Sequence, residues 1–140
     1  MVYVTPFYGF QSGLRRNLNS TMEMNEIISK AIGAHSKWTF HIEQAIKSGT
    51  TDYNPKLVKT DNNCEFGKWL YNDAPAVLKG RSIYHEIKDI HARFHLEAGR
   101  VLALAVGGKK DEAIKGISLG SEYRQLSSSL VLKLASLKTK

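Results

Sequence analysis

Two stretches of this chain place apolar residues at alternating intervals of three and four: Met24, Ile28, Ala31, His35, Trp38, Ile42 and Ala45 in the first, and Tyr84, Ile87, His91, Phe94, Ala98, Val101 and Ala105 in the second. On an α-helix that spacing keeps every such side chain on one face, and a helix with one apolar face is stable only when the face is buried against another element. The first helix is expected to end near Gly49 and the second at Gly107-Gly108. From about Lys109 a third segment puts Ile117, Tyr123, Leu126, Leu130, Leu134 and Leu137 on one side, with Gly116 and Gly120 weakening its first half. Between the two stripes, residues 50–63 hold Pro55, two Asp and three Asn without a period, and read as a loop. Asn62 followed three residues later by Glu65 reads as a capping box, opening a short helix through Cys64, Phe66, Trp69 and Leu70. Pro75 and Gly80 separate it from the second stripe. No run of alternating β-branched residues competes. The expected fold is all-α: an antiparallel, mostly four-helix bundle with an additional short helix that carries Cys64, laid across or beside it.

A length of 140 residues suits one core. The boundaries expected are an N-terminal arm or linker over 1–20, where Tyr3, Phe7, Tyr8 and Phe10 keep neither helical nor strand period, and a helical domain over 21–140. A single cysteine excludes an intrachain disulfide and points to the reducing cytoplasm. The 20 Lys and Arg exceed the 13 Asp and Glu by 7, yet only Arg15-Arg16 and Lys109-Lys110 are adjacent. Charge so scattered suits a solvated basic surface and no specific nucleic acid. The longest apolar run, Val101 to Val106, is far short of the ~18 residues a membrane span requires. Met1 to Phe10 lacks the basic and aliphatic regions of an export signal, so a cytoplasmic location without membrane insertion is expected.

Histidine interrupts both stripes. His35 and His91 occupy slots that call for a hydrophobe, and His95 lies one helical turn after His91, so that this pair can converge on one atom. Cys64 falls at a helix start, where backbone N–H groups and the macrodipole favour a thiolate. Three imidazoles and a thiolate suit a tetrahedral Zn²⁺ with no open catalytic position, which speaks against an enzyme. The same spacing also suits histidines that are hydrogen-bonded core residues, and spacing alone does not choose between the two. His41 and His85 lie off the stripes and read as surface residues, His85 being a candidate to support a ligand from outside. Trp38, Trp69, Phe66 and Phe94 read as bundle core. There is no glycine-rich phosphate loop, serine nucleophile elbow, HEXXH or pair of carboxylates in the apolar stripes. Two rivals remain beside the zinc reading. A hemerythrin-like di-iron oxygen binder needs bridging carboxylates, and none follows His35 or His41 by three or four residues. A metal-free helical interaction module needs only core histidines.

The segments AHSKW around His35, CEFGKWL from Cys64 and HARFH from His91 to His95 closely resemble the chemoreceptor zinc-binding domain family, CZB, in order and separation over about residues 22–137. The resemblance implies a helical bundle, commonly a homodimer, holding Zn²⁺ through the positions that are here His35, Cys64, His91 and His95. No ligand position departs from the family pattern. It further implies a bacterial cytoplasmic signalling role, attached to a methyl-accepting chemoreceptor or a diguanylate cyclase, with a response to zinc availability or to oxidants such as hypochlorite. Neither a receptor coiled coil nor a cyclase domain lies in these residues, so a fused or associated output domain is expected.

Overall fold

The first apolar stripe lies on two consecutive helices, α1 (Gly13–Ser36) and α2 (Trp38–Ser48). They belong to a computed structural model that describes the backbone of residues 13–138 and the side chains of residues 23–138. The arm expected at the N-terminus lies outside the described residues up to residue 12, while residues 13–20 already belong to α1. The expected single helix is thus interrupted at Lys37, but its hydrogen bonding runs on, Lys37 N–H donating to Gly33 O at 3.1 Å and His41 N–H to Lys37 O at 3.1 Å. Register is therefore kept across the junction, and Ile28, Ala31, His35, Ile42 and Ala45 are all buried. Gly49 ends α2 at φ 75°, a left-handed conformation that glycine adopts without steric cost.

The stretch read as a loop contains one helical turn, α3 (Pro55–Val58). Pro55 supplies a preset φ at the first helical position and the Asn54 side chain accepts from Lys56 N–H at 3.0 Å. Four residues are too few to show a period. Next come α4 (Glu65–Lys68), a π-helical turn over Trp69–Asp73, and α5 (Ala76–Lys79). The residue that caps α4 is Cys64, with φ −82° and ψ 159°, and not Asn62 as the capping-box reading expected. Its Sγ accepts from Gly67 N–H at 3.2 Å, doing what an Asn or Ser oxygen does elsewhere. Tyr84 ties the π-turn down by donating from its hydroxyl to Leu70 O at 2.9 Å.

The second stripe forms α6 (Ser82–Val106), as the spacing predicts. The third segment is two helices, α7 (Lys110–Gly116) and α8 (Glu122–Leu137), parted where Gly116 and Gly120 stand. Gly120 is left-handed at φ 84°, and Ser121 then caps α8 by accepting from Arg124 N–H at 3.2 Å. All six apolar residues assigned to this segment are buried.

Every regular element among the described residues is helical. Helix α6 packs against α2, α3, α5, α7 and α8, while α1 packs against α8 and touches α4. Phe94, Tyr123, Leu102, Leu130 and Leu134 fill the centre. Phe66 is buried too, whereas Trp38 and Trp69 are half-buried and pack on the core's edge. No helix among the described residues is long and apolar enough to cross a membrane.

Candidate metal centre

The four singled-out side chains arrive on three structural elements. His35 lies in the last turn of α1, on the stripe that faces inward. His91 and His95 project from one face of α6, a turn apart. Cys64 stands at the α4 N-cap, where the chain turns from extended to helical. The structure brings all four together: one ligand-type atom from each lies within 4.8 Å of all the others. The imidazoles are 2%, 0% and 3% exposed for His35, His91 and His95, so little of their surface meets bulk water.

The hydrogen bonds set the tautomers. His35 Nδ1 lies 2.7 Å from Ala31 O and His95 Nδ1 lies 2.9 Å from Val58 O. A carbonyl can only accept, so both Nδ1 atoms carry the proton and both Nε2 atoms present a lone pair. These two Nε2 atoms face each other at 3.3 Å, with no proton to share between them. His91 Nε2 sits 3.1 Å from each of them. It can offer at most one proton, and its Nδ1 is buried with no hydrogen-bond partner. Two fixed lone pairs and a third ring nitrogen free to present one are a donor set suited to a cation.

The spacing fits Zn²⁺. With Zn–N of about 2.0–2.1 Å and Zn–S of about 2.3 Å, the edges of a tetrahedron come to roughly 3.3–3.4 Å between nitrogens and roughly 3.6 Å between nitrogen and sulfur. The nitrogen edges here are 3.1–3.3 Å. The sulfur edges are 3.4 Å to His91 and 3.9 Å to His35, and the sulfur lies within 4.8 Å of the His95 ligand nitrogen.

Protonation agrees with a metal-ready site. Burial lowers the His35 pKa from 6.5 to about 4. For His91 burial, helped by the neighbouring imidazoles, lowers it to about 2, and burial lowers that of His95 as well. All three are therefore neutral at pH 7, as ligands must be. Burial raises the Cys64 pKa and outweighs the Gly67 and Phe66 N–H groups that lower it. The helix start alone therefore does not make the thiolate expected from its position; a bound cation would. Because the three histidines titrate lower folded than unfolded, the unfolded chain takes up protons first on acidification. The metal-free domain is expected to lose stability as the pH falls from 6.5 through about 4. Urea midpoints across that window check it, and a midpoint that rises on acidification contradicts the burial of neutral imidazoles.

Backbone groups that a sequence does not advertise hold the ligands in place. Ala31 O lies four residues before His35, and Val58 O is supplied by α3 inside the supposed loop. Gly99 lets α3 come that close: a Cβ there would stand 2.8 Å from Pro55 O and 2.9 Å from Lys59 N. Phe66 meets His91 and His35 edge-on at 5.1 and 6.0 Å and stacks on Trp69 at 5.8 Å. The remaining histidines lie elsewhere. His41 packs with Trp38 and Tyr53 near the surface, and His85 is exposed beside the Tyr84 ring, so the support suggested for His85 is given instead by carbonyls.

Helices bring three buried imidazoles and a thiol to one point, with two rings locked by carbonyls, a group that could hold a metal ion. Residues 35–102 match the family model of the chemoreceptor zinc-binding domain, CZB, a span that runs from His35 to Leu102 and contains all four cluster residues. The resemblance seen in three short segments is borne out by that match over residues 35–102, a narrower span than the 22–137 expected. No curated protein and no solved structure matches the chain.

Proposed function

We propose that this domain binds a Zn²⁺ ion through His35 Nε2, His91 Nε2, His95 Nε2 and Cys64 Sγ, and acts as a sensory or regulatory module of a bacterial signalling protein of the chemoreceptor or diguanylate cyclase type. The observation that carries the reading is the mutual approach of the four atoms within 4.8 Å. Four protein ligands leave no place for substrate, so the module regulates and does not catalyse. The family resemblance supplies the rest of the proposal: a four-helix bundle, a homodimer, a cytoplasmic setting and an output domain fused to the chain or associated with it.

The response resides in Cys64. Zinc lowers the pKa of a bound thiol and keeps the sulfur nucleophilic. Hypochlorous acid transfers its oxygen equivalent to that sulfur, forming a sulfenic acid and releasing chloride. Cys64 also caps α4, which touches α1. Losing the thiolate therefore weakens the metal site and frees the start of α4 together.

Metal stoichiometry by mass spectrometry tests the proposal on wild type and Cys64→Ser, with and without hypochlorite. The expected result is stoichiometric zinc in wild type, partial or lost zinc in the variant, and oxidant-driven release in wild type alone. Iron with a visible absorption band would replace this reading by a di-iron carrier, and a metal-free protein after expression in zinc by an interaction module. Unchanged oxidant release from Cys64→Ser would remove the redox role.

A further inference from the structure

Among the described residues the cluster is closed on one side and open on the other. On the α6 side, His91 and His95 are shut in by the core around Phe94 and by α3, seated on Gly99 with its Val58 carbonyl on His95. On the opposite side a cleft of about 610 Å³ runs between α1 and the Cys64 segment, lined by His35 and Cys64 with Ala31, Ala34, Phe66 and Trp69. Neither His91 nor His95 lines it. The clefts beside Asp61, beside Arg100 and beside Tyr53 touch none of the four. Lys30 and Lys68 at the walls are offset by Glu65 and Asp73, so the cleft has no net charge to steer an ion and its control is steric.

We infer that this cleft is the exchange route of the metal site, with His35 and Cys64 at its mouth, Cys64 as the ligand that opens first, and His91 with His95 as the back wall. The inference rests on the zinc reading above. It assigns the two halves of the site different work. The back pair, held on one helix, sets where the ion sits. The front pair, on two separate elements that meet across the cleft, sets how fast the ion comes and goes. Zinc, chelator and oxidant then share one entrance, and the groups at its mouth govern all three rates.

Ala34 offers a clean way to narrow it. The residue lines the cleft yet is exposed on α1, so a larger side chain there extends into the opening without entering the core. Stopped-flow transfer of zinc to and from a fluorescent chelator is measured for wild type, Ala34→Phe, Ala34→Trp and Trp69→Ala, with the equilibrium affinity determined separately. Loading and release should slow together, severalfold and by the same factor, in both Ala34 variants, leaving affinity unchanged; Trp69→Ala should speed both. Alkylation of Cys64 in the metal-free protein should slow in the same order, more for a bulky maleimide than for iodoacetamide. Unchanged rates in the Ala34 variants overturn the route, and so does an affinity change without a matched kinetic one. A wild-type protein that takes up no zinc overturns the metal site itself, a result distinct from either.

Discussion

Chelating the proposed metal is expected to lower the melting temperature of the domain by roughly 10–20 °C, on the order that follows when a ligand bound at a thousandfold excess over its dissociation constant contributes about 4 kcal/mol and each kcal/mol is worth a few degrees in a chain of this size. The size of the effect follows from how the ligands are placed. With zinc present, the lone pairs of His35 and His95 at 3.3 Å converge on a positive charge. Without it they oppose each other in a site where each imidazole is at most 3% exposed. Neither ring can turn away cheaply, because turning breaks the bond to Ala31 O or to Val58 O and strands a buried donor. The His91 ring has no such anchor. It is held through its Nε2, which lies 3.1 Å from His35 Nε2 and from His95 Nε2 and 3.4 Å from Cys64 Sγ, and by the ring edges packed around it. Differential scanning calorimetry with and without a strong chelator measures the shift, and a melting temperature indifferent to the chelator contradicts a zinc ion bound by these residues.

What the sequence displays and what it hides divide along physical lines. The stripes of α1, α2, α6 and α8 were legible because burial on one face imposes a period, and the same period exposed His35 and His91 as polar residues in apolar slots. His95 followed from one helical turn. Cys64 was legible by type, yet its local role was not: the sequence points to Asn62 as the cap because Asn and Ser oxygens usually fill that place, and a thiol in it carries no compositional signal. The break at Lys37 leaves no mark either, since the hydrogen bonds and the stripe both run through it. Helix α3 is too short for a period, although Asn54-Pro55 spells a cap followed by a first helical residue. Its most consequential atom is a main-chain oxygen, Val58 O, and any residue type supplies one. Gly67 and Gly99 could have been singled out as places of close approach, but a glycine in a sequence does not say what approaches it.

Gly67→Ala is expected to cost about 1–3 kcal/mol in the metal-free domain through overpacking, and to weaken zinc binding roughly 10- to 100-fold, although residue 67 contributes no ligand atom. A Cβ built at this position would stand 1.8 Å from Asp61 O and 3.2 Å from Asn62 Cα, both of them main-chain atoms that cannot swing aside as a side chain can. One of the two strands of chain must move. The 61–63 segment is restrained because Tyr71, on the π-turn that follows α4, donates from its hydroxyl to the Asp61 carboxylate, and the π-turn is itself tied to α6 through Tyr84. The displacement therefore falls on the start of α4, which holds Cys64 Sγ 3.4 Å from His91 Nε2 and gives that sulfur a 3.2 Å contact from the Gly67 N–H itself. Gly33→Ala is the control, for Gly33 lies in α1, is exposed, and a Cβ there has nothing within 4 Å. It should keep wild-type affinity and gain a little stability from better helix propensity. Competition titrations against a chelator of known affinity, paired with melting curves of the metal-free proteins, separate the two effects. If Gly67→Ala loses stability but binds zinc like wild type, the strain is absorbed by the 61–63 segment and Cys64 is placed by α4's contact with α1 instead; if it loses neither, the approach of Asp61 to α4 is not what brings the sulfur to the three imidazoles.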